Sequence, residues 1–255
     1  MAWTKTYRGG EPLRVNKWLA QEGVCSRRDA EALIGQGLVS IDGAPISEPG
    51  HKIAPGQTLT LANQAGAQLS AAITAVVNKP VGFVSAQPEP RQIPAARLLT
   101  KANLWRGGGG VPDSKTSLAP LGRLDLDSRG LLILSEDGVL AKAVIGPDSL
   151  LDKEYLVRAS GQISERKLAL LRHGLALDNR PLKPAKVSAT GDVLRFILTE
   201  GRNRQIRRMC EAVDLAVTDL CRIRIGPLHL GELPEGKWRP LQPGEREALL
   251  KASAR

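Results

Sequence analysis

The chain has 255 residues, 42% of them hydrophobic, and a formal charge of +10 at pH 7. That length allows one large domain or a small domain beside a medium one, and the charge favours a polyanionic partner such as nucleic acid. Cys25, Cys210 and Cys221 are far apart and form no C-x-x-C pair, which argues against a zinc site or a disulfide framework, and no apolar run approaches the roughly 18 residues of a membrane span.

His51, His173 and His229 are scattered as well, and a scattered histidine is ordinarily a surface or packing residue rather than a ligand. The opening "MAWTKTYRGGEPLR" has no apolar core of signal-peptide length, so a cytoplasmic protein is expected. No basic amphipathic stretch with a bulky aromatic face is evident, and a membrane-surface role is not expected. Two tyrosines, two phenylalanines and four tryptophans are too few for an aromatic platform that stacks bases along a strand.

Residues 1–12 read as a flexible basic tail, and a compact unit over 13–61 follows. Leu13, Val15, Trp18 and Leu19 suit a short helix ending near Gly23. Ser26 can cap a second helix, with Asp29 three residues on in a capping-box arrangement. "LVSI", "DG" and "QTLTL" read as strand, turn and closing strand. The small polar stretch over 62–71 is expected to be a linker.

A second domain over 72–245 begins with the strand and Lys-Pro turn of "ITAVVNKPVGFVS". A long proline-rich loop over 86–120 follows, with one short helix near Ala95–Leu99. Loops of this length are usually functional or disordered. The run Gly107–Gly110 lacks the Lys-Ser or Lys-Thr pair of a phosphate-binding loop. Strands and helices then alternate through "LLIL", "GVLAKAVIG", "KEYLVRAS", "SERKLALLRHGL", "DVLRFILTE", "NRQIRRMCEAV" and "DLCRIRIG". Strict alternation in the last predicts Cys221, Ile223 and Ile225 on one face, with Arg222 and Arg224 together on the other. The mix predicts an α+β domain with a largely antiparallel sheet. Residues 246–255 read as a basic tail.

Three places carry chemistry. "GRLDLDSRG" sets Asp125 and Asp127 between Arg123 and Arg129, directly before an apolar strand. An acidic turn is ordinarily only a turn, but loops at strand ends commonly carry function. A carboxylate beside guanidinium groups stays charged and can act as nucleophile or base. The D-x-D pair is a weak divalent-metal signal, since no further carboxylates support it. "EGRNRQIRRMCEA" places Arg204, Arg207 and Arg208 on one helical flank. The ordinary reading is a solvated basic face, and the functional one is an arginine turned to a carboxylate with others on phosphates. Arg222 and Arg224 would extend that basic surface. Tyr155 in "DKEYLV" gains interest only if it faces Asp125.

Together these stretches resemble the RsuA/RluB/RluE/RluF family of pseudouridine synthases: "GRLDLDSRGLLILSEDG" its aspartate motif, "KEYLV" its tyrosine motif, "EGRNRQIRRM" its arginine motif, and "NKPVGFVS" its opening strand. "RVNKWLAQEGVCSRRDAEALIGQGLVSIDG" resembles an S4 RNA-binding domain. "CSRRDAE", "LDLDSRGL" and "NRQIRRMCE" are most similar to the RluF branch, with the RluB branch the nearest competitor. The resemblance implies a mixed, mostly antiparallel sheet with flanking helices behind a small S4 (αL-like) domain. It implies isomerisation of a uridine to pseudouridine in 23S ribosomal RNA, by base flipping, with no cofactor and no metal. Asp125 is then the catalytic aspartate and Arg207 the arginine paired with it. Tyr155 would stack on the uracil and Ile206 would wall the pocket. Arg123 would fill the gap left by the flipped base or hold the neighbouring phosphate, Arg204 would help bind substrate, and Arg27 and Arg28 would meet phosphates. The competing expectation is a non-catalytic S4-type RNA-binding protein. A monomer is expected, because no repeated apolar seam is visible. The loop carrying Trp105 and Arg106 looks longer than the family pattern.

Overall fold

A computed structural model of the chain describes residues 3–86, 88–106, 110–113, 116 and 118–253. Gly107–Gly109, within the glycine run, lie outside the described residues. The chain divides into two compact units, Met1–Thr74 with Ser135–Lys142, and Ala75–Leu134 with Ala143–Arg255.

In the first unit, helix α1 (Val15–Gln21) and helix α2 (Arg27–Gly35) accompany a four-stranded sheet. Ser26 caps α2: its Oγ accepts from the Asp29 amide at 3.1 Å, and the Asp29 carboxylate accepts from the Ser26 amide at 2.9 Å. This reciprocal box satisfies two amides that the first turn leaves without intrahelical partners. Val15, Trp18, Leu19, Leu33 and Ile34 pack with Val39, Leu59 and Leu61 into one core.

The tail and linker expectations both fail here. Thr4–Thr6 is a strand antiparallel to Thr58–Leu61, and Tyr7 is buried with its ring 5.1 Å from Trp18. Pairing with an otherwise open strand edge and burial of an aromatic ring order the tail. Asn63–Ser70 is helix α3, because Ala65 is fully buried in the core.

The second unit is built on a nine-stranded sheet. Its main path runs Lys186–Thr190, Val193–Leu198, Lys153–Ser160, Ala216–Ile225, Arg129–Ser135, Thr74–Lys79, Trp238–Pro240. Lys153–Ser160 is antiparallel to both neighbours, whereas Arg129–Ser135 runs parallel to Ala216–Ile225. The mixed, mostly antiparallel sheet matches the expectation. Helix α4 (Gly138–Ile145) follows the Arg129–Ser135 strand. Helices α5 (Glu165–Arg172) and α6 (Gln205–Glu211) lie on a core formed by Leu194, Phe196 and Leu198 of one strand with Leu168, Met209 and Cys210. Burial pushes the Cys210 thiol up to about 12, so it is a packing group rather than a nucleophile. The basic tail is also corrected: Pro243–Ser253 is helix α7, anchored by fully buried Leu249. In the long loop, Ala95–Leu98 forms the expected short helix, of the 3₁₀ kind. Trp105 is tied by its amide to the Trp238 carbonyl at 2.9 Å, while Arg106 lies over its ring and pairs with Glu232 at 3.0 Å.

Candidate active site

The segment from Arg123 to Leu131 is pinned at almost every residue. Buried Ser85 both accepts from the Leu124 amide at 2.8 Å and donates to the Leu124 carbonyl at 2.7 Å. The Gly82 amide donates to the Leu126 carbonyl at 2.9 Å, and the Ser128 amide to the Asp125 carbonyl at 3.1 Å. Arg207 donates to the Asp127 carbonyl at 2.7 Å and to the Ser128 hydroxyl at 3.3 Å. Arg222 holds the two ends, donating to the Leu131 carbonyl at 2.8 Å and to the Arg123 carbonyl at 3.3 Å. Gly82 belongs to the Lys-Pro turn, which is fixed by Lys79. That side chain has no solvent exposure, and its Nζ donates to the Pro80 and Phe83 carbonyls, each at 2.8 Å. Burial lowers the Lys79 pKa to about 8, with Asp125, Asp127 and Glu235 opposing the shift. A loop so restrained presents Asp125 with little freedom left to lose on binding.

The arginine run is not a solvated face. Arg208 pairs bidentately with Asp178 at 2.6 and 3.0 Å, and Arg202 caps the carbonyls of Leu177, Arg180 and Pro181. Arg204 grips Asp127 at 2.9 and 3.1 Å and reaches the Asp125 carboxylate at 3.5 Å. Its backbone is left-handed, with φ 48°, a conformation non-glycine residues seldom adopt. The expected pairing of Arg207 with Asp125 is therefore corrected. Arg207 approaches the Asp127 carboxylate at 3.4 Å, and Arg204 is the arginine at Asp125. Residue 204 stands at the N-cap of α6, where the left-handed turn brings its side chain to the loop. The Arg204 hydrogen bond, with Arg207 adding to it against partial burial, holds the Asp127 carboxyl below its ordinary value.

The placement of Arg222 and Arg224 on one face fails for a geometric reason. Glu154 stands opposite Arg224, but Tyr155 stands opposite Arg222, so Ile223 is an extra residue on its strand. This β-bulge breaks the alternation and sends the two arginines to opposite faces. Arg224 joins Glu154 at 2.7 Å and Asp152 at 2.7 and 3.0 Å, while Arg195 takes the other Glu154 oxygen at 2.6 Å. Burial pushes the Glu154 carboxyl up, but the two guanidinium hydrogen bonds outweigh it and hold the group below its ordinary value. Arg222, only 3% exposed, lies on Tyr155's face. Neither arginine extends a basic surface.

One open cleft of ≈ 400 Å³ gathers Asp125, Tyr155, Arg204, Ile206 and Arg207, with exposed Arg123 at its wall. These site residues, distant in sequence, converge. Arg222, Lys153 and Lys183 also line the cleft and were not singled out there by sequence reasoning. Lys153 had a signal, since it stands two residues before Tyr155 on one strand and so shares its face; Arg222 had none, because a bulge leaves no mark in hydrophobic alternation. Arg27 and Arg28 are exposed at the start of α2 in the first unit. Among the described residues no group of three His, Cys, Asp or Glu is placed to hold a metal ion, and no helix is long and apolar enough to cross a membrane.

A pinned acidic loop facing a tyrosine and two arginines across a mixed sheet defines an enzyme cleft, and comparison with known proteins gives its class. The RNA pseudouridylate synthase family matches residues 73–212, and the S4 domain matches residues 13–59. The chain belongs to the RNA pseudouridine synthase family and carries an S4 domain at its N-terminal side. An uncharacterized RNA pseudouridine synthase of Aquifex aeolicus is 32% identical, with 94% of each chain covered. The dual-specificity RNA pseudouridine synthase RluF of Escherichia coli is 31% identical over 94% of this chain and 79% of its own. Ribosomal large subunit pseudouridine synthase B of Pseudomonas aeruginosa is 30% identical over 92% of this chain and 61% of its own. A crystal structure of a pseudouridylate synthase aligns with a TM-score of 0.64 at 27% identity, covering 93% of this chain and 99% of that one.

Proposed function

We propose that the chain isomerises one uridine of large-subunit (23S) ribosomal RNA to pseudouridine, in the manner of RluF. The supporting observation is the convergence of Asp125, Tyr155 and the Arg204–Arg207 pair in one cleft. The S4 domain and the net charge of +10 fit an RNA substrate. The reaction breaks the C1′–N1 bond, turns the base, and joins C1′ to C5. A proton leaves C5 and N1 gains one, so nothing is consumed and no cofactor is called for.

A base within folded RNA must leave its stack to reach such a cleft. Arg123, exposed and with no ion pair among the described residues, would occupy the gap or hold the adjoining phosphate. Asp125 reacts, and Arg204 stands against its charge. Tyr155 stacks on the uracil beside C5, Ile206 closes one wall, and Arg207 holds the loop through Asp127 and Ser128. Arg27 and Arg28 would bind phosphates, aided by the N-terminal end of α2. The working division is an S4 domain over 13–61 with α3 on its core, and a catalytic domain from 72 through helix α7, acting as a cytoplasmic monomer.

The test is tritium release from 23S transcripts made with [5-³H]uridine. The wild-type chain should release tritium. Asp125→Asn should lower the rate by about three orders of magnitude or more, the scale on which loss of a reacting group acts, with unchanged RNA binding. Equal release by both chains would reject the assignment of Asp125, and no release by the wild-type chain would favour the non-catalytic RNA-binding reading.

A further inference from the structure

Arg222 is the least explained group in the cleft. Its Nε and Nη1 hold the two ends of the Asp125 loop, yet Nη2 is buried with no hydrogen-bond partner among the described residues. An enclosed guanidinium N–H without an acceptor is costly. The chain takes an irregular route to put it there, since only the bulge at Ile223 brings Arg222 to Tyr155's face. Gly130, at φ 107°, makes room for the same backbone: a Cβ there would stand 2.3 Å from the Arg222 carbonyl oxygen.

A second cation joins it. Lys153 lines the same cleft and donates to the carbonyls of Leu151 at 2.8 Å and Val144 at 3.4 Å. No carboxylate lies within ion-pair distance of Lys153 or Arg222 among the described residues. Burial, and then the charge of Arg222, lower the Lys153 pKa. An enclosed and a half-buried cation, both held by neutral carbonyls, form a site for an oxygen that carries negative charge.

We infer that Arg222, seconded by Lys153, receives a carbonyl oxygen of the target uracil and stabilises the charge that gathers there as the glycosidic bond breaks. This deepens the synthase reading and rests on it. The burial of Arg222, only 3% exposed, selects the base over the phosphate. A phosphodiester continues into the chain on both sides and stays at the mouth of a cleft, whereas a flipped base enters it. As C1′–N1 breaks, its electron pair stays with the base and spreads onto O2 and O4. A donor fixed in advance on one of those oxygens therefore binds the transition state more strongly than the ground state.

The experiment uses the wild-type chain with ¹⁵N-labelled arginine. The Arg222 guanidinium signals, assigned through bonds, are followed by NMR as uridine 5′-monophosphate or inorganic phosphate is added. Tritium release from 23S transcripts is measured on the same sample. The expected result is a shift of the Arg222 Nη signal with the nucleotide and none with phosphate. Arg222→Lys, which keeps the charge but loses Nη2 together with the two guanidinium bonds to the loop, should slow single turnover by about 10²-fold without weakening RNA binding, and the NMR shift separates the uracil contact from the loop contacts. A chain that releases tritium but shows no nucleotide-dependent shift overturns the role of Arg222 alone. So does a shift with phosphate only. A wild-type chain that releases no tritium fails the synthase reading, and the inference falls with it. The NMR readout stands even if Arg222→Lys folds poorly.

Discussion

Arg204 combines a left-handed backbone with a side chain that grips Asp127 and touches Asp125. A non-glycine residue in that conformation costs about 1–2 kcal/mol, while a half-exposed ion pair returns about 0–1 kcal/mol. Arg204→Gly should therefore leave stability within about 1 kcal/mol of wild type, or raise it slightly, while sharply lowering tritium release. A variant that melts much earlier would mean the arginine is structural, and one that retains full activity would remove it from the site. Lys79 yields a pH prediction. In the folded chain it loses its proton near pH 8, against an ordinary value of 10.5. Between those values the unfolded chain binds more protons, so this group's contribution to stability rises with pH across the window. Below it both states are protonated, and the burial of a charge weighs against folding in full. The urea midpoint of wild type relative to Lys79→Met should therefore move in favour of wild type between about pH 7 and about pH 10. A constant difference would contradict a buried, depressed lysine.

At the scale of elements, the loop, the bulge and the strand beneath them work as one unit. Gly130→Ala tests it, because the added methyl group meets the Arg222 carbonyl and the backbone is at φ 107°. The expected cost is about 3 kcal/mol or more, read as a lower denaturation midpoint; a neutral substitution would show that the strands can separate without consequence. Much of this level was legible in sequence. The capping box at Ser26 and the strands around Tyr155 follow from periodicity and capping chemistry, which are local. What was missed is non-local. Thr4–Thr6 becomes a strand only because another strand offers an edge, and residues 63–70 become helix because Ala65 finds a core. Arg222 and Arg224 part company because one residue slips out of register with Tyr155. Likewise, the motifs named an arginine for Asp125, but the turn before α6 decides that it is Arg204 rather than Arg207.

For the whole molecule, the charge of +10 implies binding that weakens steeply with salt. If Arg27 and Arg28 meet phosphates, replacing both with alanine should reduce the slope of log affinity against log salt concentration by about 1–2. The single-turnover rate at saturating RNA should stay at the wild-type value. An unchanged slope would place the phosphate contacts elsewhere. Many of the chain's other arginines are engaged internally: Arg129 with Asp219, Arg208 with Asp178, Arg224 with Asp152 and Glu154, Arg239 with Glu245. Net charge thus overstates the cationic surface, and exposed arginines with no ion pair among the described residues, Arg27, Arg28 and Arg123 among them, become the ones to examine for RNA contact.

The most direct test of the central claim is a pseudouridine map of ribosomal RNA, by chemical adduct and primer extension. It compares cells carrying the wild-type chain, a deletion, and Asp125→Asn. The account predicts that a large-subunit uridine loses its mark in both the deletion and the Asp125→Asn strain. A mark lost in the deletion but kept with Asp125→Asn, or a map unchanged in all three strains, would contradict it.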